Sequence, residues 1–192
     1  MTLLATWSDS APDELLVSTT DPTEIAAELA TVGIAFDQWP TGADLAVGAS
    51  QDDVFAAYRA EVDSLVADHG FTVIDVAQIH PSDDPGWLET ATGARGKFLE
   101  EHTHAEDEVR FFVQGAGVFY LHIDGRVLAL YCEAGDLVSV PALTTHWFDM
   151  GTRPDFTAIR FFKNADGWVG SFTGNPIAKS YSDFDTLAAL RG

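Results

Sequence analysis

From residue 71 onwards the sequence consists of short apolar runs separated by Gly, Pro and Asp, and this pattern most constrains the fold. The runs that predict strands are 71–79, 97–104, 108–113, 117–123, 126–131, 137–140, 146–149 and 156–162. Asp124-Gly125, between two of these runs, is a strong signal for a two-residue hairpin. Many short strands at regular spacing, without helices between them, predict an antiparallel sandwich or barrel.

The first third of the chain has the pattern of helices, over about 21–70. Asp21 predicts an N-cap, with Pro22 at the first helical position. Ser50 predicts the cap of a second helix, which Gly70 ends. These helices carry no chemical signature and are expected to pack outside the sheet. We expect a single domain over 1–192, with a barrel at about 71–163 and a C-terminal loop and tail at 164–192, weakly helical near 183–190.

The charge excludes several classes of partner. Asp and Glu number 30 against 10 Lys and Arg, a formal net charge of −20. Such a chain repels nucleic-acid backbones and anionic membranes, so neither is expected as a partner. An anionic substrate needs a local positive site from a metal or an Arg.

The first residues lack a basic stretch, and no apolar run approaches the roughly 18 residues that span a membrane. With Cys132 as the single cysteine, expected to be buried, no intrachain disulfide can form, and we expect a cytoplasmic protein.

Four side chains form a candidate metal site. His102 and His104 are two residues apart, so on a strand both imidazoles point to the same face. Glu108 follows four residues later, and His146 begins another candidate strand. Three imidazoles and one carboxylate suit Fe(II), Ni(II), Mn(II) or Co(II) in octahedral geometry, with two positions left for substrate, water or O2. A closed structural zinc site normally uses Cys, and is therefore disfavoured. The other histidines, His69, His80 and His122, have no ligand spacing.

Glycines at fixed spacings surround these residues. Gly96, five residues, the His102-x-His104 pair, three residues, Glu108, six residues and a further glycine reproduce the first cupin motif, while Gly135, five residues, a proline and His146 reproduce most of the second. The chain thus resembles the cupin superfamily, which implies a double-stranded β-helix, or jelly-roll barrel, with the N-terminal helices outside. Two positions depart from the second motif: Leu143 replaces the usual glycine and Met150 the usual asparagine. Leu tolerates a positive φ poorly, so the first departure affects the turn before His146.

A narrower resemblance covers about 71–174. The stretches EHTH at 101–104, DEVRF at 107–111, GAGVF at 115–119, CEAGDL at 132–137, PA at 141–142, HWF at 146–148 and AIRFF at 158–162 are similar to the acireductone dioxygenase family of bacteria. The resemblance implies that His102, His104, Glu108 and His146 bind the metal. It also implies that Arg110 and Arg160 are catalytic and that Phe98, Phe148 and Trp168 line the substrate pocket.

The resemblance further implies a reaction of methionine salvage. The substrate would be 1,2-dihydroxy-3-keto-5-methylthiopentene, whose carbon–carbon bond is cleaved with O2. With iron the products would be 4-methylthio-2-oxobutanoate and formate, and with nickel 3-methylthiopropanoate, formate and carbon monoxide. One Fe(2+) or Ni(2+) per chain and a monomer are expected. The alternatives are a different metal-dependent cupin dioxygenase or isomerase, and a non-catalytic binding module.

Overall fold

The computed structural model describes residues 1–41 and 44–191, which form a mainly antiparallel β structure. The strands are β1 (Leu3–Ser8), β2 (Ala11–Thr19), β3 (Ala35–Gln38), β4 (Val73–Ile79), β5 (His102–Thr103), β6 (Glu108–Ile123), β7 (Arg126–Glu133), β8 (Asp136–Val140), β9 (Thr145–Asp149), β10 (Phe156–Phe162) and β11 (Ser171–Phe172). The helices are α1 (Pro22–Ala30), α2 (Gln51–Ala57), α3 (Arg59–His69), α4 (Trp87–Gly96) and α5 (Phe184–Leu190), with a 3-10 helix at Pro176–Ser180.

The strands form two sheets that share the long strand β6. The second half of β6 lies in the first sheet, in the order β11-β5-β9-β6-β7-β1-β2. Its first half pairs with β8 and β10, which extend to β3 and β4 in the second sheet. At Gly115, where β6 passes between the sheets, φ is +69° and a Cβ would lie 1.8 Å from the carbonyl oxygen of Asp155. Only glycine fits at this position, and it lets β6 pass from one sheet to the other without a break. The two predicted strands 108–113 and 117–123 are therefore one continuous strand.

The two sheets enclose one apolar interior. Along β6, Phe119 and Leu121 belong to the interior cluster, whereas Val118 and Tyr120 belong to a second cluster on the outer face of the first sheet. This alternation is the strand period of two. The mainly β, cupin-type barrel that the sequence predicted is therefore confirmed.

Helices cover the second sheet from outside, as expected. Val54 of α2, Val62 of α3 and Tyr58 between the two helices pack with Phe111 and Phe161. The helix α1 differs, because Ile25 and Leu29 join the interior cluster of the barrel. No helix of the described ranges has the length and apolarity needed to cross a membrane.

The predicted helix starts are confirmed by their caps. Asp21 Oδ1 accepts a hydrogen bond of 2.8 Å from the Thr23 N–H, and Ser50 Oγ accepts one of 3.2 Å from the Asp53 N–H. Gly70 ends α3 with φ of 70°. The expected single helix between Ser50 and Gly70 is instead two, because Tyr58 leaves the helical conformation between α2 and α3.

Three expectations about the elements are wrong. The first third is not only helical, because β1, β2 and β3 lie within it and join the sheets. The strands are not free of intervening helices, because α4 lies between β4 and β5. The predicted strand 97–104 is reduced to His102–Thr103, because α4 extends to Gly96 and its last turn is fixed by an ion pair between Arg95 and Asp149.

An aromatic cluster covers the outer face of the first sheet. The rings of Tyr120 and Trp147 stack with centroids 4.9 Å apart and an interplanar angle of 6°. Tyr181 packs against Trp147 and against Trp7 of β1. The last part of the predicted tail, from residue 177 onwards, therefore packs on this face, and it contains α5 at the predicted helical stretch 183–190.

Candidate metal centre

Three histidines meet inside the barrel near one end of the first sheet. His102 of β5 is paired directly with His146 of β9, and His104 follows in the turn after β5. All three are buried, and one ring nitrogen from each lies within 4.8 Å of the others. This is a distance over which a single ion can bind three imidazoles.

The backbone fixes the tautomer of each imidazole. The Nδ1 atoms lie 2.7 Å from the Glu100 carbonyl oxygen for His102, 3.0 Å from that of Val169 for His104 and 2.8 Å from that of Thr144 for His146. A carbonyl oxygen can only accept, so each Nδ1 carries the proton and each Nε2 presents a lone pair. Burial lowers the pKa of His102 to about 4, which keeps its ring neutral at pH 7. The three imidazoles are therefore ready to bind a cation.

Glu108, the first residue of β6, lies beside two of the three imidazoles. Its Oε2 lies 3.0 Å from His146 Nε2 and 3.5 Å from His104 Nε2. Burial by itself would raise the pKa of Glu108, but the charge of Arg110 and the hydrogen bond with His146 hold that pKa below its usual range. Lone pairs that face a carboxylate at this distance require a cation or a proton between them. Three neutral imidazoles and one carboxylate fit a divalent metal ion.

Arg110 follows Glu108 on the same face of β6. Its Nη2 donates to Glu108 Oε1 at 2.6 Å, and its guanidinium carbon lies 4.4 Å from the ring centroid of Phe148 and 5.0 Å from that of Phe119. Arg110 is 6% exposed, and its Nε–H has no partner among the described residues. An unused donor in a buried site is costly, so this N–H is available to a bound molecule.

Arg160 lies in the same row of the sheet but is held elsewhere. It stands opposite Arg110 in the pairing of β10 with β6, and opposite Asp75 in the pairing with β4. Its Nε and Nη2 donate to the two carboxylate oxygens of Asp75 at 2.8 and 2.7 Å. In the described part of the chain its hydrogen bonds go to Asp75 alone, so the structure places Arg160 opposite Arg110 without joining it to the histidines.

The three aromatic candidates differ in position. Phe98 lies 6.3 Å, ring to ring, from His102, and its carbonyl oxygen accepts the Phe148 N–H at 2.9 Å. Phe148 is buried and packs against Phe119 at 5.0 Å between centroids. Trp168 is 49% exposed, next to the residue whose carbonyl holds His104, and none of the aromatic contacts among the described residues includes it.

Sequence reasoning missed the residues that hold β11 against the ligands. Phe172 pairs with His102 across β11 and β5, and their rings are 5.7 Å apart. The buried Glu101 accepts from Thr173 Oγ1, and its Oε1 lies 2.6 Å from His122 Nδ1. No periodic pattern marks a two-residue strand, and His122 has no sequence spacing that links it to Glu101.

The turn before His146 keeps the geometry that a glycine would give. Leu143 adopts φ of 65°, and its N–H donates to the carbonyl oxygen of His104 at 2.9 Å. Its side chain is 72% exposed. The departure from the cupin motif is therefore absorbed by a left-handed leucine rather than by a displaced turn.

A two-sheet barrel with a buried centre of three histidines defines the class of metal-binding cupin proteins. The model of the ARD/ARD′ family matches residues 4–170, so the chain belongs to this family. It is 56% identical over 188 residues to an acireductone dioxygenase of Frankia alni, covering 98% of this chain and 91% of that relative. It is 53% identical over 188 residues to acireductone dioxygenase 1 of Nocardia farcinica, covering 97% and 99% of the two chains.

A solved structure agrees with this assignment. The acireductone dioxygenase from Bacillus anthracis with a cadmium ion in its active centre superposes with a TM-score of 0.73 at 25% identity, covering 90% of this chain and 98% of that chain. The chain is a metal-dependent dioxygenase with a divalent metal cofactor, and the alternatives of an isomerase or a non-catalytic module are set aside.

Proposed function

We propose that this chain cleaves 1,2-dihydroxy-3-keto-5-methylthiopentene with O2, as a step of methionine salvage, at a metal bound by His102, His104, Glu108 and His146. The observation that carries the proposal is the buried cluster of three imidazole Nε2 atoms, with the Glu108 carboxylate beside two of them. The names of the relatives support the substrate class.

The side chains around the metal have separate roles. A divalent ion at this point supplies Lewis acidity and a template for the substrate oxygens and O2. Arg110 donates its free Nε–H to the ionised enediol, and its charge stabilises the negative oxygen as the bond breaks. Phe98 and Phe148 exclude water from the reacting atoms.

Two further roles follow from the resemblance. Arg160 supplies a second positive charge on the face that carries Arg110, once its pairing with Asp75 opens or is shared with the substrate. Trp168 covers the substrate from the segment that contains Val169. Both roles apply to the substrate-bound protein, because each requires a contact that forms or changes when the substrate binds.

The bound metal selects the products. The four ligands offer no discrimination between iron and nickel beyond ordinary affinity, so one polypeptide is expected to give two outcomes. Iron-loaded protein yields 4-methylthio-2-oxobutanoate and formate. Nickel-loaded protein yields 3-methylthiopropanoate, formate and carbon monoxide.

The test loads one apo preparation with each ion separately and measures O2 uptake, carbon monoxide and the two acids. His104→Ala is the control, and it is expected to lose both metal and turnover because one of three imidazoles is removed. Identical products from both loaded forms would contradict the selection by metal. Full metal content in His104→Ala would contradict the ligand set.

We also propose that the protein acts as a monomer in the cytoplasm. The net charge of −20 supports a monomer, because copies of the chain repel one another. The buried free thiol of Cys132 supports a reducing compartment.

A further inference from the structure

A partly buried ion pair lies behind the metal centre, on the outer side of β9. Arg95, in the last turn of α4, donates from Nε and Nη2 to the two oxygens of Asp149 at 2.7 and 2.9 Å. Asp149 ends β9 and is 2% exposed. It also accepts the N–H groups of Gly151 and Phe184 at 2.9 and 3.0 Å. Both carboxylate oxygens of Asp149 are thus fully used, and α4 is bound to β9 by a planar two-point contact.

The chain between this ion pair and His102 forms two more contacts that shape the site. The carbonyl oxygen of Phe98 accepts the N–H of Phe148 on β9. The carbonyl oxygen of Glu100 accepts from His102 Nδ1 and sets the tautomer of that imidazole. Residues 95–100 contain no strand pairing, because β5 starts only at His102. The Arg95 contact is therefore the side-chain anchor that fixes where this segment begins.

We propose that Arg95 and Asp149 are positioning residues for the metal centre. Their ion pair holds the segment 95–100 against β9, so that the Glu100 carbonyl orients His102 and Phe98 stays beside that ligand. Neither residue touches the metal or the substrate. The inference rests on the proposed ligand set, since it concerns how well His102 is oriented before a metal binds.

The surroundings of the pair allow a direct test by chemical rescue. Arg95 and Asp149 line a cleft of about 730 Å³, together with Glu100, Trp147 and Lys179. A small cation in solution can therefore reach the space that a truncated Arg95 leaves. Guanidinium has the same planar fork of donors as the lost side chain, whereas Na+ has none.

The experiment titrates Co(II) into the full-length apo protein and follows its absorption bands, for the native chain, Arg95→Ala and Arg95→Lys. Loss of a group that orients a ligand weakens metal binding by about 10-fold, the lower end of the usual range. We expect Arg95→Ala to show that loss with altered Co(II) bands, and millimolar guanidinium, but not equal Na+, to restore both. Arg95→Lys should lie between, because an ammonium cannot make the two-point contact.

The matched control is Arg126→Ala. Arg126 of β7 donates to Glu28 of α1 at 2.7 Å, another ion pair between a helix and a strand but without a link to the ligands. The Arg126→Ala substitution should lower the melting temperature while leaving the Co(II) affinity and the Co(II) absorption bands unchanged. If Arg95→Ala behaves as this control does, or if guanidinium restores nothing, the inference is wrong. If Arg95→Ala does not fold, Arg95→Lys decides between these outcomes. Failure of the native chain to bind Co(II) would instead contradict the proposed function.

Discussion

Arg110 shows how one residue can serve two partners. Its Nη2 donates to Glu108, its Nε–H has no partner among the described residues, and its guanidinium carbon lies near the rings of Phe148 and Phe119. Burial lowers the pKa of Arg110, but the pKa of a guanidinium starts so high that it stays charged. The sequence predicted its face from the two-residue spacing to Glu108, but not the aromatic enclosure, which depends on strands far apart in the chain.

We predict that Arg110→Ala retains its metal but has a lower kcat/KM. The decrease corresponds to a loss of about 3 kcal/mol of transition-state stabilisation, the usual effect of removing an oxyanion donor. Arg110→Lys should recover only part, because a compact ammonium cannot bind Glu108 and the substrate at once. Steady-state kinetics with metal analysis of each variant checks this. Metal loss that excess metal reverses would make Arg110 a support for Glu108 instead.

Leu143 holds a conformation that suits glycine. A left-handed leucine costs about 1–2 kcal/mol, whereas glycine costs about 0.5–1 kcal/mol in unfolded-state entropy. With the side chain mostly exposed, Leu143→Gly should stabilise the fold by about 0.5 kcal/mol, a rise in Tm of about 1–2 °C. Calorimetry checks this, and Leu143→Ala, which keeps the strain, should show no gain. Lower stability of Leu143→Gly would mean that packing contacts of the leucine side chain stabilise the fold by more than the left-handed conformation costs.

At the scale of elements, the segment 163–173 depends on contacts at both ends. Glu106 accepts the N–H groups of Lys163 and Asn164 at 2.9 and 3.0 Å, and Thr173 donates its N–H to the Glu101 carbonyl at 3.1 Å. Between these points Val169 holds His104. The segment is therefore fixed by residues that flank the ligands themselves.

Glu106→Ala should loosen this segment, because two backbone N–H groups lose their acceptor. We expect faster hydrogen exchange at Lys163 and Asn164 by several-fold, with weaker metal binding through His104. Glu106→Gln, which keeps one acceptor oxygen, should change less. Unchanged exchange in Glu106→Ala would show that the segment is held by other contacts.

The elements predicted from the sequence are those with strong local signals. Asp21 and Ser50 cap helices through their own side chains, and Asp124-Gly125 forms the expected hairpin with φ of 52° and 72°. The strand β2 was missed because its exposed residues lack alternation, and pairing with β1 decides its conformation. Spacing could place the ligands on one face, but only the pairing of His102 with His146 brings β5 and β9 together.

At the scale of the whole molecule, a bound divalent metal would make the site locally positive inside a negatively charged protein. Glu108 and Arg110 neutralise each other, so a divalent ion adds its full charge inside a chain of net charge −20. An anionic substrate is repelled at long range and attracted only at short range. Salt screens the long-range part more strongly, because the buried charges are shielded from solvent ions.

We therefore predict that kcat/KM rises several-fold with ionic strength while kcat stays constant. The measurement varies NaCl with a fixed metal load and repeats the series with sucrose as an uncharged control. A decrease in kcat/KM with salt would mean that local attraction by the centre governs substrate capture.

The stack of Trp147 on Tyr120 has a practical consequence. Trp147 is the neighbour of His146 in the chain, and the strand directs its indole to the opposite face. A native fluorophore thus lies one residue from a ligand and outside the reacting volume. Open-shell Fe(II) or Ni(II) should quench its emission, whereas closed-shell Zn(II) should not. In a variant that keeps Trp147 and replaces the other four tryptophans with Phe, lifetime measurements can therefore report which kind of ion the protein holds while turnover proceeds.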